Sequence, residues 1–472
     1  YGGNYMGSLQ RLDHRTGESR AINVWPIDNM GAGAEAAKYR FQWNYPIFFS
    51  PNNPKKLYAA GNHLFATEDE GKTWQMISPD LTTNDKRKQA SSGGPITQDN
   101  TSVEYYCTIF TATESWMEKD LLWAGSDDGL IHVSKDGGKS WENVTPKDIP
   151  QAMMWNCVEV DPFKRGAVYF TGTRYKSDDF APYIYKTEDY GKSWRRITNG
   201  INSLHFTRAM RADRKRSGLL YAGTEYGMYI SYDDGAIWKS FQMNLPVVPI
   251  TDLVIKNNDL IVATQGRSFY ILDDLTVIQQ RKSEVLNKSL HVFDVNPAYR
   301  MPGGGRRGGG GGFAGTSFAN VGMNPSNGVV FNYYLEEVTD STRLSIVLMD
   351  KNRKTIKTYS TSSKENKVDV TKGMNQFEWN MNYPEAERVE GLILWNGFIR
   401  GPKAAPGNYY AKFKSGSDSA EVAFTILADP NYKTSQAEYE EQFNHLITMR
   451  DKSSEIMKAV KNIREVRQQM ND

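Results

Sequence analysis

The 472-residue sequence has few cysteines, no long apolar run and almost no net charge. Its two cysteines, Cys107 and Cys157, lack neighbouring histidines in the sequence and fit no metal-binding spacing, which leaves one disulfide or two buried thiols. No segment approaches the roughly 18 apolar residues of a membrane helix. The net charge of +2 gives no electrostatic case for a nucleic acid or a membrane surface as partner.

Motifs of the common enzyme classes are also lacking. No GxSxG, HExxH, P-loop or dinucleotide-binding pattern occurs. The run Gly303–Gly312 has eight Gly and two Arg but no following helical pattern that could hold a phosphate. The sequence therefore predicts no cofactor and no metal. It starts at Tyr1 inside strand-like sequence and without a signal peptide, which predicts either a fragment of a longer polypeptide or a processed mature piece, with the targeting signal expected in the missing N-terminal part.

What the sequence does contain is a repeat. The pattern Ser/Thr-x-Asp-x-Gly-x-x-Trp occurs at Thr67–Trp74, Ser134–Trp141, Thr187–Trp194 and Ser231–Trp238. Asp can accept backbone N–H bonds across a tight turn, Gly supplies positive φ, and Trp anchors the returning strand. The residues predicted to have these structural roles are Asp69, Gly71, Trp74, Asp136, Gly138, Trp141, Asp189, Gly191, Trp194, Asp233, Gly235 and Trp238.

Strand-like segments flank each copy of the repeat. Each unit contains four of them, A to D, with the repeated turn between C and D. Four-stranded sheets repeated around an axis form a β-propeller. A fifth unit lacks the turn and is predicted to end in a strand at Leu275–Gln279, and Gly7–Leu12 with Ser19–Trp25 are predicted as outer strands of an incomplete first unit. Residues 1–280 are thus predicted to be propeller blades that continue upstream of this sequence.

A second part of the chain follows the blades. Residues 281–328 are predicted to be a Gly-rich linker. Residues 329–430 alternate short strands and turns over a length that predicts an Ig-like β-sandwich. From 431 to 472 the apolar residues recur with helical period, which predicts a helical tail with a break near Ser453 and Ser454. The predicted fold class is all-β: a partial propeller, a sandwich and a C-terminal helix.

The repeat belongs to a wider resemblance. Together with Ser78–Thr82, Gly266–Asp274, Gly373–Trp379 and Ala405–Tyr410 it resembles large secreted bacterial proteins with Asp-box (BNR) repeats, which are similar to the sortilin N-terminal domain and are often labelled glycosyl hydrolases. The resemblance implies a first propeller upstream of Tyr1 and an Ig-like module after the second. It also implies a secreted or cell-surface location, periplasmic or associated with the outer membrane of a Gram-negative bacterium. A fold by itself does not give a function.

The candidate site lies in the B–C and D–A loops, which share the end of each blade opposite the repeated turns. These loops carry carboxylates, arginines and aromatics, which a glycan or peptide site requires, although surface loops are polar in any case. The predicted ligand-binding face consists of His63, Glu104, Tyr105, Trp155, Arg174, Tyr175, Tyr226 and Arg267, with Asn62, Asp178, Asp179, His205, Phe206 and Gln265 in the same loops.

Catalysis would need two carboxylates on this face. Glycosidases use a pair about 5–5.5 Å apart for retention or about 6.5–9.5 Å apart for inversion, and the candidates are Asp127 or Asp128 with Glu225. A sialidase would need a cluster of arginines, and only Arg174 and Arg267 occur in these loops. The leading hypothesis is a secreted or cell-surface binding or scaffold protein whose propeller face binds a protein partner in a surface assembly, or an extracellular glycan or peptide. The alternative is a glycoside hydrolase with a cleft between two propellers, and a third hypothesis is a purely structural subunit.

Overall fold

The computed structural model describes residues 1–93, 96–102, 104–301, 326–393 and 399–471. The chain divides into two compact units, Tyr1–Leu272 and Asp273–Asp472. Nearly all regular structure in the first unit is β, whereas the described part of the second unit combines eight strands with two short helices and one long helix at its C-terminal end. The predicted all-β fold class is confirmed.

The described residues of the first unit form six small antiparallel sheets, called blades 1 to 6 here. Blade 1 contains β1 (Gly2–Gly3), β2 (Leu9–Leu12) and β3 (Ser19–Ala21). Blade 2 contains β4 (Ile47–Phe49), β5 (Leu57–Ala60), β6 (Leu64–Thr67) and β7 (Gln75–Met76). Blade 3 contains β8 (Ile109–Glu114), β9 (Leu122–Ser126), β10 (Ile131–Ser134) and β11 (Glu142–Asn143).

The remaining blades follow in chain order. Blade 4 contains β12 (Met154–Val160), β13 (Val168–Arg174), β14 (Asp179–Thr187) and β15 (Arg195–Arg196). Blade 5 contains β16 (Thr207–Ala212), β17 (Leu220–Thr224), β18 (Gly227–Ser231) and β19 (Lys239–Ser240). Blade 6 contains β20 (Ile250–Lys256), β21 (Asp259–Thr264) and β22 (Phe269–Leu272). Single-turn 3-10 helices in the loops span Tyr5–Gly7, Ala34–Ala36, Lys86–Lys88 and Tyr175–Ser177.

Neighbouring blades pack through their first strands and through apolar faces. β8 contacts β12, β12 contacts β16, and β16 contacts β20, so the A strands of blades 3 to 6 lie side by side. Tyr58 and Leu122 are buried together between blades 2 and 3, and Tyr169 and Met210 between blades 4 and 5. Small sheets that pack face to face around their first strands define a β-propeller.

The four repeated turns lie between strands C and D of blades 2 to 5 and have one hydrogen-bond pattern. In blade 3 the Ser134 hydroxyl accepts the Gly138 N–H at 2.8 Å, and the Asp136 carboxylate accepts the Ser140 N–H at 2.9 Å. Gly138 has a φ of +96°, which a residue with a Cβ adopts only with strain. Equivalent bonds occur in the turns that begin at Thr67, Thr187 and Ser231.

The Trp at the end of each turn joins its blade to the preceding one. Its indole N–H donates to a backbone carbonyl of the preceding blade, namely that of the first residue after the last strand of the preceding blade. The four bonds are Trp74 to Ile22 at 2.9 Å, Trp141 to Ile77 at 2.9 Å, Trp194 to Val144 at 2.7 Å and Trp238 to Ile197 at 2.7 Å. Each turn is therefore a clamp between two blades as well as an anchor for its own strand.

Blade 6 has three strands because its expected fourth strand is a helix. Residues Thr276–Gln280 form helix α1, and the Asp274 carboxylate accepts the Thr276 N–H at 2.9 Å where the helix starts. This helix belongs to the second unit. The prediction of a strand at Leu275–Gln279 was wrong, because a short apolar run does not distinguish a strand from a buried helical turn.

The described part of the second unit contains a two-layer sandwich and three helices. Its elements are α1, α2 (Ser283–Leu286), β23 (Leu290–Val292), β24 (Ala298–Arg300), β25 (Val329–Leu335), β26 (Leu344–Met349), β27 (Thr355–Ser360), β28 (Gly373–Trp379), β29 (Gly407–Ser415), β30 (Asp418–Ala428) and α3 (Gln436–Asn471). One sheet has the order β23-β25-β28 and the other β24-β30-β29-β26-β27. Phe331 and Trp379 of the first sheet share one core with Phe413 and Phe424 of the second. Its assignment as Ig-like stays a prediction.

The sandwich begins earlier in the chain than the sequence indicated. Strands β23 and β24 lie inside the range 281–328 that was predicted to be a linker, and each pairs with a sandwich strand. Buried apolar side chains at Leu290 and Phe293 explain why this stretch is ordered. The glycine run Gly303–Gly312 lies outside the described residues.

The C-terminal helix α3 is continuous, so the predicted break at Ser453 and Ser454 was wrong. The Ser453 hydroxyl donates to the Met449 carbonyl at 2.9 Å, and the Ser454 hydroxyl donates to the Arg450 carbonyl at 3.1 Å. These bonds follow the helix backbone, so both serines are accommodated within it. No helix of the described chain combines the length and the apolar character needed to cross a membrane.

The two cysteines do not form a disulfide. Cys107 and Cys157 are both free and buried. Burial raises the pKa of both thiols. The sequence left open one disulfide or two buried thiols, and the structure contains two buried thiols.

Candidate functional site

The B–C loops and the residues that precede strand A meet at one end of each sheet, called the loop end. The residue that follows strand B donates its N–H to the carbonyl just before strand A of the same blade. Three of these bonds are Asp127 to Thr108 at 3.0 Å, Glu225 to Phe206 at 3.1 Å and Gln265 to Pro249 at 3.0 Å. The opposite end, with the four repeated turns, is called the turn end. The candidate carboxylates Asp127 and Glu225 therefore lie at the same end of their respective sheets.

Asp127 is a buried structural carboxyl group. Its side chain is only 3% exposed. One oxygen accepts the Thr108 N–H at 2.9 Å, and the other accepts the Thr108 hydroxyl at 2.7 Å. Burial raises its pKa to about 7 against the opposing effect of these bonds. A group in this position holds strand A to the B–C loop and does not present an oxygen to a ligand.

The other two candidate carboxylates also have partners. Asp128 accepts the Ser126 hydroxyl at 2.6 Å and the N–H and hydroxyl of Thr83 at 2.8 and 2.7 Å. Glu225 forms an ion pair with Arg208 at 2.7 Å, in which both side chains are about a quarter exposed. Throughout the described ranges, no hydrogen bond or ion pair joins Glu225 to Asp127 or Asp128. Each of the three carboxylates is instead bound to other side chains: Asp127 to Thr108, Asp128 to Ser126 and Thr83, and Glu225 to Arg208.

Two residues of the predicted ligand face are buried and have no access to a ligand. Trp155 is fully buried inside strand β12, packs against Phe170, and donates its indole N–H to the Gly129 carbonyl at 2.9 Å. Tyr105 is also buried, and its hydroxyl donates to the Ala32 carbonyl at 3.0 Å. Their assignment to the face was wrong, because both aromatic rings fill space between chain segments.

The other predicted residues reach the surface to different degrees. His63 is half-buried, with Nδ1 at 3.1 Å from the Ser78 carbonyl. Glu104 is exposed and accepts the Thr101 hydroxyl. The remaining predicted residues with a side chain at least partly exposed are Arg174, Tyr175, Asp178, Asp179, His205, Glu225, Tyr226, Gln265 and Arg267, whereas Asn62 and Phe206 are buried.

Two groups of aromatic rings, one of three and one of two, lie at the loop end of blades 4 and 5. The ring of Tyr175 stacks on that of Phe206, with centroids 5.2 Å apart and planes 18° apart. Phe180 lies 6.1 Å from Phe206. Tyr226 stacks on His205 at 4.7 Å and 28°. We call these five residues the aromatic surface; Phe180 and Tyr226 are its most exposed members, at 40% and 48%.

A charged pair lies within the aromatic surface. The Arg208 guanidinium stands 5.5 Å from the Tyr175 centroid and 5.1 Å from the Phe206 centroid, and its Nε donates to Glu225 at 2.7 Å. Cation–π contact and the ion pair both hold the guanidinium in place. The surface thus combines exposed ring faces with hydrogen-bonding groups whose charges cancel.

The His205 ring stacks on one face of the Tyr226 ring as a neutral imidazole. Its Nδ1 lies 2.9 Å from the Tyr229 hydroxyl, which also accepts the Asn202 N–H at 3.4 Å. This contact joins the His205 ring to Tyr229 of the same blade. Burial lowers the pKa of His205. This keeps a positive charge away from the ring stack.

Phe180, Arg208 and a second exposed pair, Tyr5 and Trp43, are absent from the ligand face predicted from the sequence. Phe180, the second residue of strand β14, was detectable as an apolar residue directly after the polar run Lys176–Asp179. Arg208 lies inside strand β16, where no local pattern distinguishes it. Tyr5 contacts Trp43 at 4.6 Å, and the two are 43% and 49% exposed. Within the described chain, no three His, Cys, Asp or Glu side chains are grouped as a metal site.

No family model matches the chain. Over 165 residues it is 28% identical to an oligoxyloglucan reducing end-specific xyloglucanase of Emericella nidulans, a match that covers 32% of this chain and 17% of that enzyme. Among solved structures it is similar to the GH74 xyloglucanase of Xanthomonas campestris, with 16% identity, 58% of this chain, 42% of that chain and a TM-score of 0.41. It is also similar to PorZ, a surface component of the type-IX secretion system of Porphyromonas gingivalis, with 14% identity, 90% of this chain, 59% of that chain and a TM-score of 0.37. The chain thus covers less than two thirds of each of these proteins.

Proposed function

We propose that this protein binds a glycan chain on the aromatic surface at the loop end of its propeller, outside the cell or at the cell surface. The observation that carries the proposal is the set of stacked rings between blades 4 and 5, with Tyr226 and Phe180 exposed beside the Arg208–Glu225 pair. Exposed ring faces pack against the apolar faces of sugars, and a few fixed polar groups orient the hydroxyls. The extracellular location rests on the family resemblance of the repeats.

The charge balance of the surface favours a neutral glycan. The Arg208 charge is compensated by Glu225 at 2.7 Å, so this guanidinium offers no unbalanced charge to an acidic sugar or a phosphate. The guanidinium and carboxylate still have further hydrogen-bonding positions, because each presents more donors or acceptors than one bond uses. A peptide or protein partner would use the same rings, and the experiment below includes this outcome.

A glycoside hydrolase is the second candidate, and one observation favours it. The pKa of about 7 for Asp127 is that of a general acid. However, its 3% exposure and its two bonds from Thr108 keep the carboxyl group away from solvent. The curated relative is named for action on xyloglucan oligosaccharides, and only 17% of its length is matched. Xyloglucan oligosaccharides are therefore the first ligands to test, with binding as the expected result.

Isothermal titration with xyloglucan oligosaccharides, cello-oligosaccharides and an acidic pectin fragment tests the proposal. The variant Tyr226→Ala is expected to weaken binding of a neutral oligosaccharide by about tenfold, since a stacked ring contributes on the order of 1 kcal/mol. The matched control is Phe163→Ala, which removes a ring that is 44% exposed in the A–B loop at the turn end. Equal weakening in both variants, or binding of a peptide but of no glycan, would contradict the proposal.

Product analysis separates binding from hydrolysis. The wild-type protein is incubated with the same oligosaccharides, and new reducing ends are measured by chromatography. We expect none. Release of products by the wild type, abolished in Asp127→Asn or Glu225→Gln variants that keep the wild-type unfolding transition, would establish the hydrolase instead.

A further inference from the structure

Two exposed rings of blades 1 and 2 take no part in the aromatic surface of blades 4 and 5. Tyr5 and Trp43 are 43% and 49% exposed, and their ring centroids lie 4.6 Å apart with planes 77° apart. Tyr5 lies in the loop between β1 and β2, and Trp43 lies in the segment that precedes β4. The pair therefore joins the loops of two neighbouring blades.

The order of the strands places both rings at the loop end. The Trp74 indole N–H donates to the Ile22 carbonyl directly after β3, as the later clamps do to the residue after the last strand of the preceding blade. Strands β1, β2 and β3 thus correspond to B, C and D, and the loop that carries Tyr5 is a B–C loop. The Ala60 N–H, at the end of strand B of blade 2, donates to the Pro46 carbonyl at 3.0 Å, which brings the segment before β4 to the same end.

Hydrogen bonds hold the backbone beneath the two rings. The Asn4 side-chain oxygen accepts the Tyr5 N–H at 2.8 Å, and the Ser8 N–H donates to the Tyr5 carbonyl at 2.9 Å. The Tyr45 hydroxyl donates to the Ser8 carbonyl at 2.5 Å, which ties the loop of Tyr5 to the segment of Trp43. A ring pair that is fixed before binding loses less conformational freedom when a ligand stacks on it.

The surroundings of the two rings are polar but uncharged. Neither Gly2–Gln10 nor Phe41–Pro54 contains a charged side chain. The amides of Asn4 and Asn44 are exposed, and that of Gln42 is half-buried. Amide groups both donate and accept hydrogen bonds, as sugar hydroxyls require, and aromatic faces pack against the apolar face of a sugar ring. This combination suits a neutral glycan and offers no charge to an acidic ligand.

We infer that Tyr5 and Trp43 form a second binding site for a neutral glycan, and that one long glycan chain contacts this site and the aromatic surface together. The inference rests on the proposed function and adds a second point of contact at the same end of the propeller. Once a chain is bound at the aromatic surface, its contact with the second site is intramolecular, so the affinity rises with the length of the glycan. Short oligosaccharides bind mainly at the aromatic surface, where the Arg208–Glu225 pair adds fixed hydrogen-bonding groups.

Titration with xyloglucan chains of different length tests the inference. With concentrations expressed per repeating unit, the wild-type protein is expected to bind the polysaccharide at least about tenfold more tightly than short oligosaccharides. Trp43→Ala should weaken polysaccharide binding by about tenfold and leave oligosaccharide binding unchanged. Trp43→Phe keeps a stacking ring and should retain most of the affinity. The matched control is Phe163→Ala, which removes an exposed ring at the turn end and should change neither affinity.

Tryptophan fluorescence locates the contact. The Trp43 indole is about half exposed, so a sugar that covers it should move its emission to shorter wavelength. The polysaccharide is therefore expected to shift the emission of the wild-type protein, and this shift should be lost in Trp43→Phe. The same shift in both proteins would place the contact at another tryptophan and overturn the inference.

The titrations separate this inference from the proposed function. If Tyr226→Ala weakens glycan binding and Trp43→Ala leaves every affinity unchanged, the second site is overturned and the aromatic surface stands. If Trp43→Ala weakens binding of oligosaccharide and polysaccharide equally, the contact of one long chain with both sites is overturned. If the wild-type protein binds no neutral glycan of any length, the inference and the proposed function both fail.

Discussion

The two ends of the propeller sheets differ in how their sequence relates to their structure. At the turn end, one eight-residue pattern recurs four times and makes the same hydrogen bonds in each blade. At the loop end, the loops of the blades differ in sequence, and the stacked rings of blades 4 and 5 lie outside the repeated eight-residue pattern. The comparison indicates that the turn end holds the blades together, and that the loop end is available for binding.

Their charged groups differ in the same way. At the turn end of blade 4, Lys186 has a side chain only 1% exposed and forms ion pairs with Glu188 at 2.7 Å, with Asp161 at 3.6 Å and with Asp234 of blade 5. At the loop end the Arg208–Glu225 pair stays partly open to solvent. Buried charges must be fully paired, whereas partly exposed ones can exchange water for a ligand.

The largest expected effect is the loss of one turn-end clamp. Trp238→Ala should lower the free energy of unfolding by about 3–5 kcal/mol, because it empties a buried site and leaves the Ile197 carbonyl without its donor. Urea denaturation followed by far-UV circular dichroism measures the change. Trp238→Phe is the control, since it keeps a ring and loses only the N–H, and it should cost less. An effect below about 1 kcal/mol for the Ala variant would mean that the blades do not depend on this clamp.

A pair of glycine substitutions compares the two ends directly. Gly138 and Gly266 have φ values of +96° and +84°, so alanine is strained at both. A Cβ at Gly138 would stand 2.5 Å from the Ile77 carbonyl, whereas a Cβ at Gly266 meets no atom within 4 Å. Gly138→Ala should therefore cost about 2–4 kcal/mol and Gly266→Ala about 1 kcal/mol. Equal losses in urea denaturation would show that backbone strain alone decides the outcome.

Asp127 makes the stability of the loop end depend on pH. Its pKa of about 7 in the folded chain lies above 3.8, the ordinary value for Asp, so the folded state binds the proton more tightly than the unfolded state. Its contribution to stability is complete at low pH and is lost as the pH rises through 7, by about 2 kcal/mol between pH 5 and pH 7. Urea denaturation at several pH values should show this slope in the wild type and not in Asp127→Asn. The same slope in both proteins would assign it to other groups.

The repeated part of the structure could be predicted from the sequence. Side-chain positions that depend on contacts between residues far apart in the chain could not. Four copies of one pattern were enough to predict the blades, because a comparison of the copies shows which residues recur at the same position. Trp155 and Tyr105 were placed on the ligand face because they lie near polar loops, but their partners Gly129 and Ala32 come from elsewhere in the chain. The pairing of Arg208 with Glu225 is likewise set by two adjacent strands and by no spacing along the chain.

The smallest expected effect on folding is the most informative for the loop end. Tyr226→Ala should change the free energy of unfolding by no more than about 0.5 kcal/mol, because its ring is 48% exposed and lies on the surface side of His205. The variant that is expected to lose glycan binding would then fold as well as the wild type. Urea denaturation of the same protein sample used for titration makes the comparison. A loss above about 2 kcal/mol would assign the ring to the core of blade 5, and the contrast between a structural end and a binding end would no longer hold.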